Sequence, residues 1–164
     1  MKQRTVAVLC LLALLCLLGG CSDPVGTSIV CEDLIVTLPG DFIDLSEGSY
    51  AQDADLLYGR KTLIVMGLAE KKAVLKEMTL EEYTAYVISG NKLDCTPEAS
   101  GDGYIFRYEA PVGDTTYTYV TATFEGQTNF WIFQFYCPSA NFTENEPEIK
   151  VILEGIRPNP NIGK

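Results

Sequence analysis

A strand over residues 128–137 has no side that can face water, and this requirement does most to limit the folds open to the chain. Side chains alternate across a strand, so Trp131, Phe133, Phe135 and Cys137 point one way while Phe130, Ile132 and Tyr136 point the other. Gln134 is the one clearly polar member. Both faces must therefore be covered, which asks for layers above and below a sheet. Strand patterns at 104–110 and 115–124 precede it, separated by Pro111-Val112-Gly113-Asp114 and Glu125-Gly126-Gln127. Turns that short make an antiparallel meander.

The preceding residues supply further strands and a helix. Leu34–Leu38 is an extended run closed by Pro39-Gly40-Asp41, and Phe42–Leu45 resumes the apolar pattern as an opening hairpin would. Residues 55–60 and 62–68 favour strands, and Leu63-Ile64-Val65-Met66 suits one covered on both sides. Thr79-Leu80-Glu81-Glu82 is a capping box, whose cap is worth about 1 kcal/mol. Leu80, Tyr83, Tyr86 and Val87 then share one helical face, and Gly90-Asn91 ends the helix. A second helix is expected with Asn145 as its cap, Pro147 in its first turn, Ile149, Ile152 and Leu153 inward, and Gly155 as its stop. The tail beyond it, opening Arg157-Pro158-Asn159-Pro160, reads as extended and exposed. The expected fold is an α+β three-layer sandwich, a mostly antiparallel sheet of about seven strands covered by helices. A lipocalin-like β-barrel is the alternative, although it has no use for a helix in mid-chain.

Thr37-Leu38-Pro39-Gly40-Asp41-Phe42, then two strands, a helix opening Thr79-Leu80-Glu81-Glu82-Tyr83, a meander ending in an aromatic strand and a terminal helix form an ordered series. In that order the chain resembles the fold shared by the photosystem II extrinsic protein PsbP and a Ran-GTPase release factor, a fold also found in bacterial lipoproteins. The likeness spans about residues 29–157 and implies an architecture. It brings no catalytic motif with it.

The amino terminus carries an address. Lys2 and Arg4 precede an uncharged apolar run over 5–18, then Gly19-Gly20 and Cys21, the layout of an export signal. A helix of that run spans roughly 21 Å, short of a ~30 Å hydrocarbon core. Leu18-Gly19-Gly20-Cys21 resembles a bacterial lipobox, which implies cleavage before Cys21 and a diacylglyceryl group on its sulfur. Two or more acyl chains make such an anchor durable, since each buried methylene adds about 0.8 kcal/mol. Residues 1–20 are thus read as a signal peptide, 21–28 as lipidated cysteine and linker, 29–157 as one domain, and 158–164 as a tail.

Charge and residue choice exclude several functions. The 164-residue chain carries 22 acidic and 12 basic side chains, a net charge of −10, the wrong sign for a nucleic-acid partner. It has no histidine, which removes Ser-His-Asp, Cys-His and His-zinc chemistry. Cys31, Cys95 and Cys137 permit at most one internal disulfide, and Cys137, among aromatic neighbours, reads as a buried inert thiol. Asp41, Asp44 and Glu47, with the pair Asp53 and Asp55, offer oxygen ligands of the kind calcium takes. None completes a calcium-binding loop, so a solvated acidic loop is expected, with no cofactor beyond the lipid on Cys21. Tyr117 and Tyr119 alternate with threonines, and would form an exposed binding patch if a helix covers that face only in part. The expected function is that of a non-enzymatic binding or accessory module, anchored on the outer face of a bacterial membrane and meeting an envelope protein or small ligand. The alternative is a small hydrolase working with two carboxylates.

Overall fold

The computed structural model describes residues 26–47, 54–75 and 77–162. In chain order the strands are β1 (Thr27–Cys31), β2 (Leu34–Leu38), β3 (Ile43–Asp44), β4 (Leu56–Arg60), β5 (Leu63–Lys71), β6 (Glu98–Ser100), β7 (Gly103–Val112), β8 (Thr115–Glu125), β9 (Asn129–Pro138) and β10 (Arg157–Pro158). The helices are α1 (Leu80–Gly90), between β5 and β6, and α2 (Phe142–Glu154), between β9 and β10. Seven strands form an antiparallel sheet in the order β3-β4-β5-β9-β8-β7-β6, and β1, β2 and β10 form a separate small sheet. The large sheet ends at β3 and β6 without closing on itself, so the chain is an open α+β sandwich and not a barrel.

The aromatic strand sits near the middle of that sheet, as its two apolar faces require. On one face Trp131, Phe133, Phe135 and Cys137 join Val120, Ala122, Phe124, Leu63 and Val65. They pack against Leu34, Val36 and Leu38 of the small sheet and Phe142, Ile149 and Ile152 of α2. On the other face Phe130 and Ile132 lie under Tyr83, Val87 and Ile88 of α1. Tyr83 stacks on Phe130 with ring centroids 4.6 Å apart and planes 14° apart. The layers are α1, the large sheet, and then the small sheet with α2.

Several elements differ from their sequence patterns for identifiable reasons. β2 pairs with β1, part of which the sequence suggested as linker, while the Phe42–Leu45 segment supplies β3 to the large sheet. A two-residue turn at Glu32-Asp33 makes this possible, with Glu32 in the left-handed region at φ 37°. The capping box of α1 forms as expected: Thr79 accepts from the Glu82 N–H, and the Glu82 carboxylate accepts from the Thr79 N–H. The buried face of α1 is rotated, however. Thr84 and Ile88 turn inward and Tyr86 is 51% exposed. Burying Thr84 is tolerable because its hydroxyl lies 2.7 Å from the Leu80 carbonyl oxygen and 2.6 Å from the Thr123 hydroxyl.

α2 begins at Phe142, three residues before the expected cap, because Phe142 belongs to the core. Asn145 therefore lies inside the helix, where its Nδ2 donates to the Asn141 carbonyl at 2.9 Å and to Thr62 Oγ1 at 3.1 Å. Pro147 is an interior helical residue. The start of the tail is extended but not free: β10 pairs with β2, and the Asn159 N–H donates to the Asp33 carbonyl at 2.9 Å.

Asp33 joins the two sheets. It is 2% exposed, and its Oδ2 accepts from the Thr128 N–H at 2.8 Å and the Asn129 N–H at 3.1 Å. Its Oδ1 accepts from the Trp131 indole at 2.6 Å. Burial raises the pKa of this carboxyl, but the bonds from Thr128, Trp131 and Asn129 outweigh it and hold the group below its ordinary value. Gly126 makes room for it, since a Cβ there would fall 2.3 Å from Asp33 Oδ2.

Candidate functional site

α1 covers only part of its side of the sheet. Past its edge, β7, β8 and β9 place Tyr108 opposite Tyr119 and Tyr119 opposite Tyr136. Their rings form a row: Tyr108 and Tyr119 are 4.9 Å apart with planes 1° apart, and Tyr119 and Tyr136 are 5.3 Å apart at 24°. Tyr117 lies beside Tyr136 at 6.5 Å and 60°. All four are half-buried, and Gln134 Nε2 donates to the Tyr108 hydroxyl at 3.0 Å. Tyr108, Tyr119 and Tyr136 spend their flat faces on one another, and the Tyr108 hydroxyl is taken up by Gln134 within the sheet. Burial raises the pKa of Tyr108, Tyr119 and Tyr136, so the hydroxyls stay protonated and able to donate at neutral pH. Tyr117 and Tyr119, singled out from the sequence, thus come together. Tyr108 and Tyr136 were missed, because strand register decides that they belong.

A second concave region lies on the opposite side of the sheet. It is a groove of about 540 Å³ between α2 and the β6–β7 edge, with Ile105, Val120, Phe142, Ile149 and Leu153 as its apolar walls. The segment 94–98 borders it. No sequence pattern pointed to it, since its walls come from separate parts of the chain and meet only through packing.

The acidic residues are dispersed among structural tasks. Asp41 pairs with Arg60 at 2.6 Å, and Glu148 approaches the same guanidinium. Asp44 accepts from the Ser46 N–H at 2.8 Å, and Asp55 accepts from the Ala69 N–H at 2.7 Å. Glu47 is exposed. Among the described residues no group of three His, Cys, Asp or Glu side chains gathers in a way that could hold a metal ion. Asp53, and the address residues Leu18, Gly19, Gly20 and Cys21, lie outside the described residues.

The three described cysteines are free. Cys137 is wholly buried, and burial raises its pKa. Burial, with the Asp55 charge, pushes the Cys31 thiol up to about 11. Cys95 is half-buried beside the groove, its pKa also raised by burial. Thiols shifted upward are poor nucleophiles at neutral pH. Among the described residues no helix is long and apolar enough to cross a membrane.

Solved structures of other proteins share this architecture. The cyanobacterial PsbP protein of Synechocystis matches with a TM-score of 0.57 at 8% identity, over 86% of this chain and 96% of that one. A protein from Bacteroides thetaiotaomicron matches with a TM-score of 0.60 at 12% identity, over 84% of this chain but 50% of that one. LpqN, described as involved in cell envelope biogenesis of Mycobacterium tuberculosis, matches with a TM-score of 0.51 at 15% identity, over 85% and 88% of the two chains. Identities this low establish a common fold: the protein has a PsbP-like α+β fold. No family model matches the chain, and a search of curated proteins finds no match.

Proposed function

We propose that this protein is a non-enzymatic binding or accessory module, held on the outer face of a bacterial membrane by a diacylglyceryl group on Cys21. The observation that carries the binding reading is the tyrosine row that α1 leaves uncovered. Four half-buried tyrosines supply low-entropy aromatic contact area with hydroxyl groups, the composition of a recognition surface. Tyr117 and Tyr119 would meet an envelope protein or small ligand there. The lipobox-like run supports the anchor, and the described role of LpqN in envelope biogenesis is in keeping with an envelope location. A carboxylate hydrolase is less well supported, because Asp33, Asp41 and Asp55 are occupied structurally and Glu146 in the groove is paired with Lys150.

Fractionation together with site-specific cross-linking tests this reading. The protein should sediment with membranes, and Cys21→Ala should abolish acylation. A photoreactive residue at position 117 should give one reproducible adduct in intact cells, and the same residue at exposed position 81 on α1 should not. Absence of the protein from the membrane fraction, acylation that persists in Cys21→Ala, or identical adducts from both positions would count against it.

A further inference from the structure

The groove beside α2 has the dimensions of a small-molecule site. Its volume of about 540 Å³ suits a ligand site, and a second hollow of about 240 Å³ shares Ile105 and Leu153 with it and continues toward Gly101 and Ile156. Phe142, Glu146, Ile149, Lys150 and Leu153 line it from α2, following the three-and-four spacing of a single helical stripe. From Phe142 to Leu153 that stripe rises roughly 17 Å at 1.5 Å per residue. The sheet side brings Ile105, Arg107 and Val120, with Arg107 directly opposite Val120. The walls along that stripe are apolar, with charged side chains at the rim.

Arg107 stands at the Phe142 end. Its guanidinium carbon lies 4.1 Å from the centre of the Phe142 ring, a cation–π contact that holds this exposed side chain at the rim of the groove. Among the described residues no carboxylate comes within ion-pair distance of Arg107, whereas Lys150 is taken up by Glu146 at 3.2 Å. A guanidinium held against a ring, without an acceptor and beside an apolar wall, matches a planar carboxylate. Asp94 and Glu98 border the same groove and disfavour every negative charge brought near it, so a head with one charge is the most that Arg107 can offset.

We propose that this groove binds an amphiphile with a linear apolar body and a single carboxylate head, gripped bidentately by Arg107 while the body lies along Ile105, Ile149 and Leu153. The site is separate from the tyrosine row, on the opposite face of the sheet, and does not depend on the reading of that row or on the lipid anchor.

Cys95 borders the groove and is half-buried, while Cys31 and Cys137 are buried; because Cys95 also packs against the α1-side cluster with Tyr108, the Arg107 and Leu153 variants assign any protection of it to the groove. Alkylation of Cys95 in the purified full chain, resolved by peptide mass mapping, would be followed with decanoate, decanol or decyltrimethylammonium below their micellar concentrations. Decanoate should slow the reaction at concentrations where the other two do not. Arg107→Gln should raise the decanoate needed roughly ten-fold, Arg107→Lys should restore part of it, and circular dichroism should show both variants folded. Leu153→Glu, at the far end, should weaken decanoate without touching the Arg107–Phe142 pair. Equal protection by decanoate and decanol, no protection by any of the three, or an unchanged decanoate response in folded Arg107→Gln would overturn the proposal.

Discussion

The two faces of the large sheet are made of similar residues and used differently. The face bearing Trp131, Phe133 and Phe135 is covered by the small sheet and α2 except at the groove along the β6–β7 edge, whereas the face bearing Phe130 and Ile132 is covered by α1 over part of its extent and then gives way to the tyrosine row. The difference teaches that an apolar strand states a need for cover without stating how much of it will be met. Where the cover stops, tyrosines take the place of phenylalanine and isoleucine. Aromatic stacking continues across the boundary.

Substitutions can break or sharpen this contrast. The largest effect is expected at Phe133, fully buried on the face covered by the small sheet and α2, where Phe133→Ala should cost about 3–5 kcal/mol by urea denaturation. Asp33→Ala comes next, at about 3 kcal/mol, because it leaves the Trp131 indole and two backbone N–H groups buried without their acceptor. That contribution depends on pH. A carboxyl held below its ordinary value stabilises the fold above the unfolded pKa of about 3.9, and the contribution is lost as pH falls through the lower folded value. The acid limb of a stability profile should accordingly be shallower in Asp33→Asn than in the parent protein.

On the open face the costs should be smaller. Tyr119→Ala removes a half-buried ring stacked between two others and should cost about 1.5 kcal/mol. A loss as large as that of Phe133→Ala would show that the row is core and leave no separate recognition surface. Thr79→Ala should cost about 1 kcal/mol through loss of the cap, read most directly as faster hydrogen exchange in the first turn of α1.

The strands of the meander and the capping box were legible because each is a local pattern, period two for the aromatic strand and four adjacent residues for the cap. The opening hairpin was not, because Leu34–Leu38 has strand patterns on both sides and only the Glu32-Asp33 turn selects Thr27–Cys31 as its partner. Asn145 resembled a cap since asparagine favours helix starts, but burial of Phe142 drew the start back a turn and gave Asn145 internal partners. The tyrosine row was half legible. Tyr117 and Tyr119 sit on one strand, whereas adding Tyr108 and Tyr136 requires the register set by the tight Gly113-Asp114 turn and the Gly126–Thr128 turn. Arg107 on Phe142 joins residues 35 apart in the chain, and no local pattern announces such a pair.

An intact-mass measurement on the protein recovered from its native membrane bears most directly on the proposal of a tethered module. The account predicts a chain beginning at Cys21, heavier than residues 21–164 by a diacylglyceryl group that fragmentation places on that cysteine. A chain that still begins at Met1, or one released into the medium with an unmodified Cys21, would contradict it.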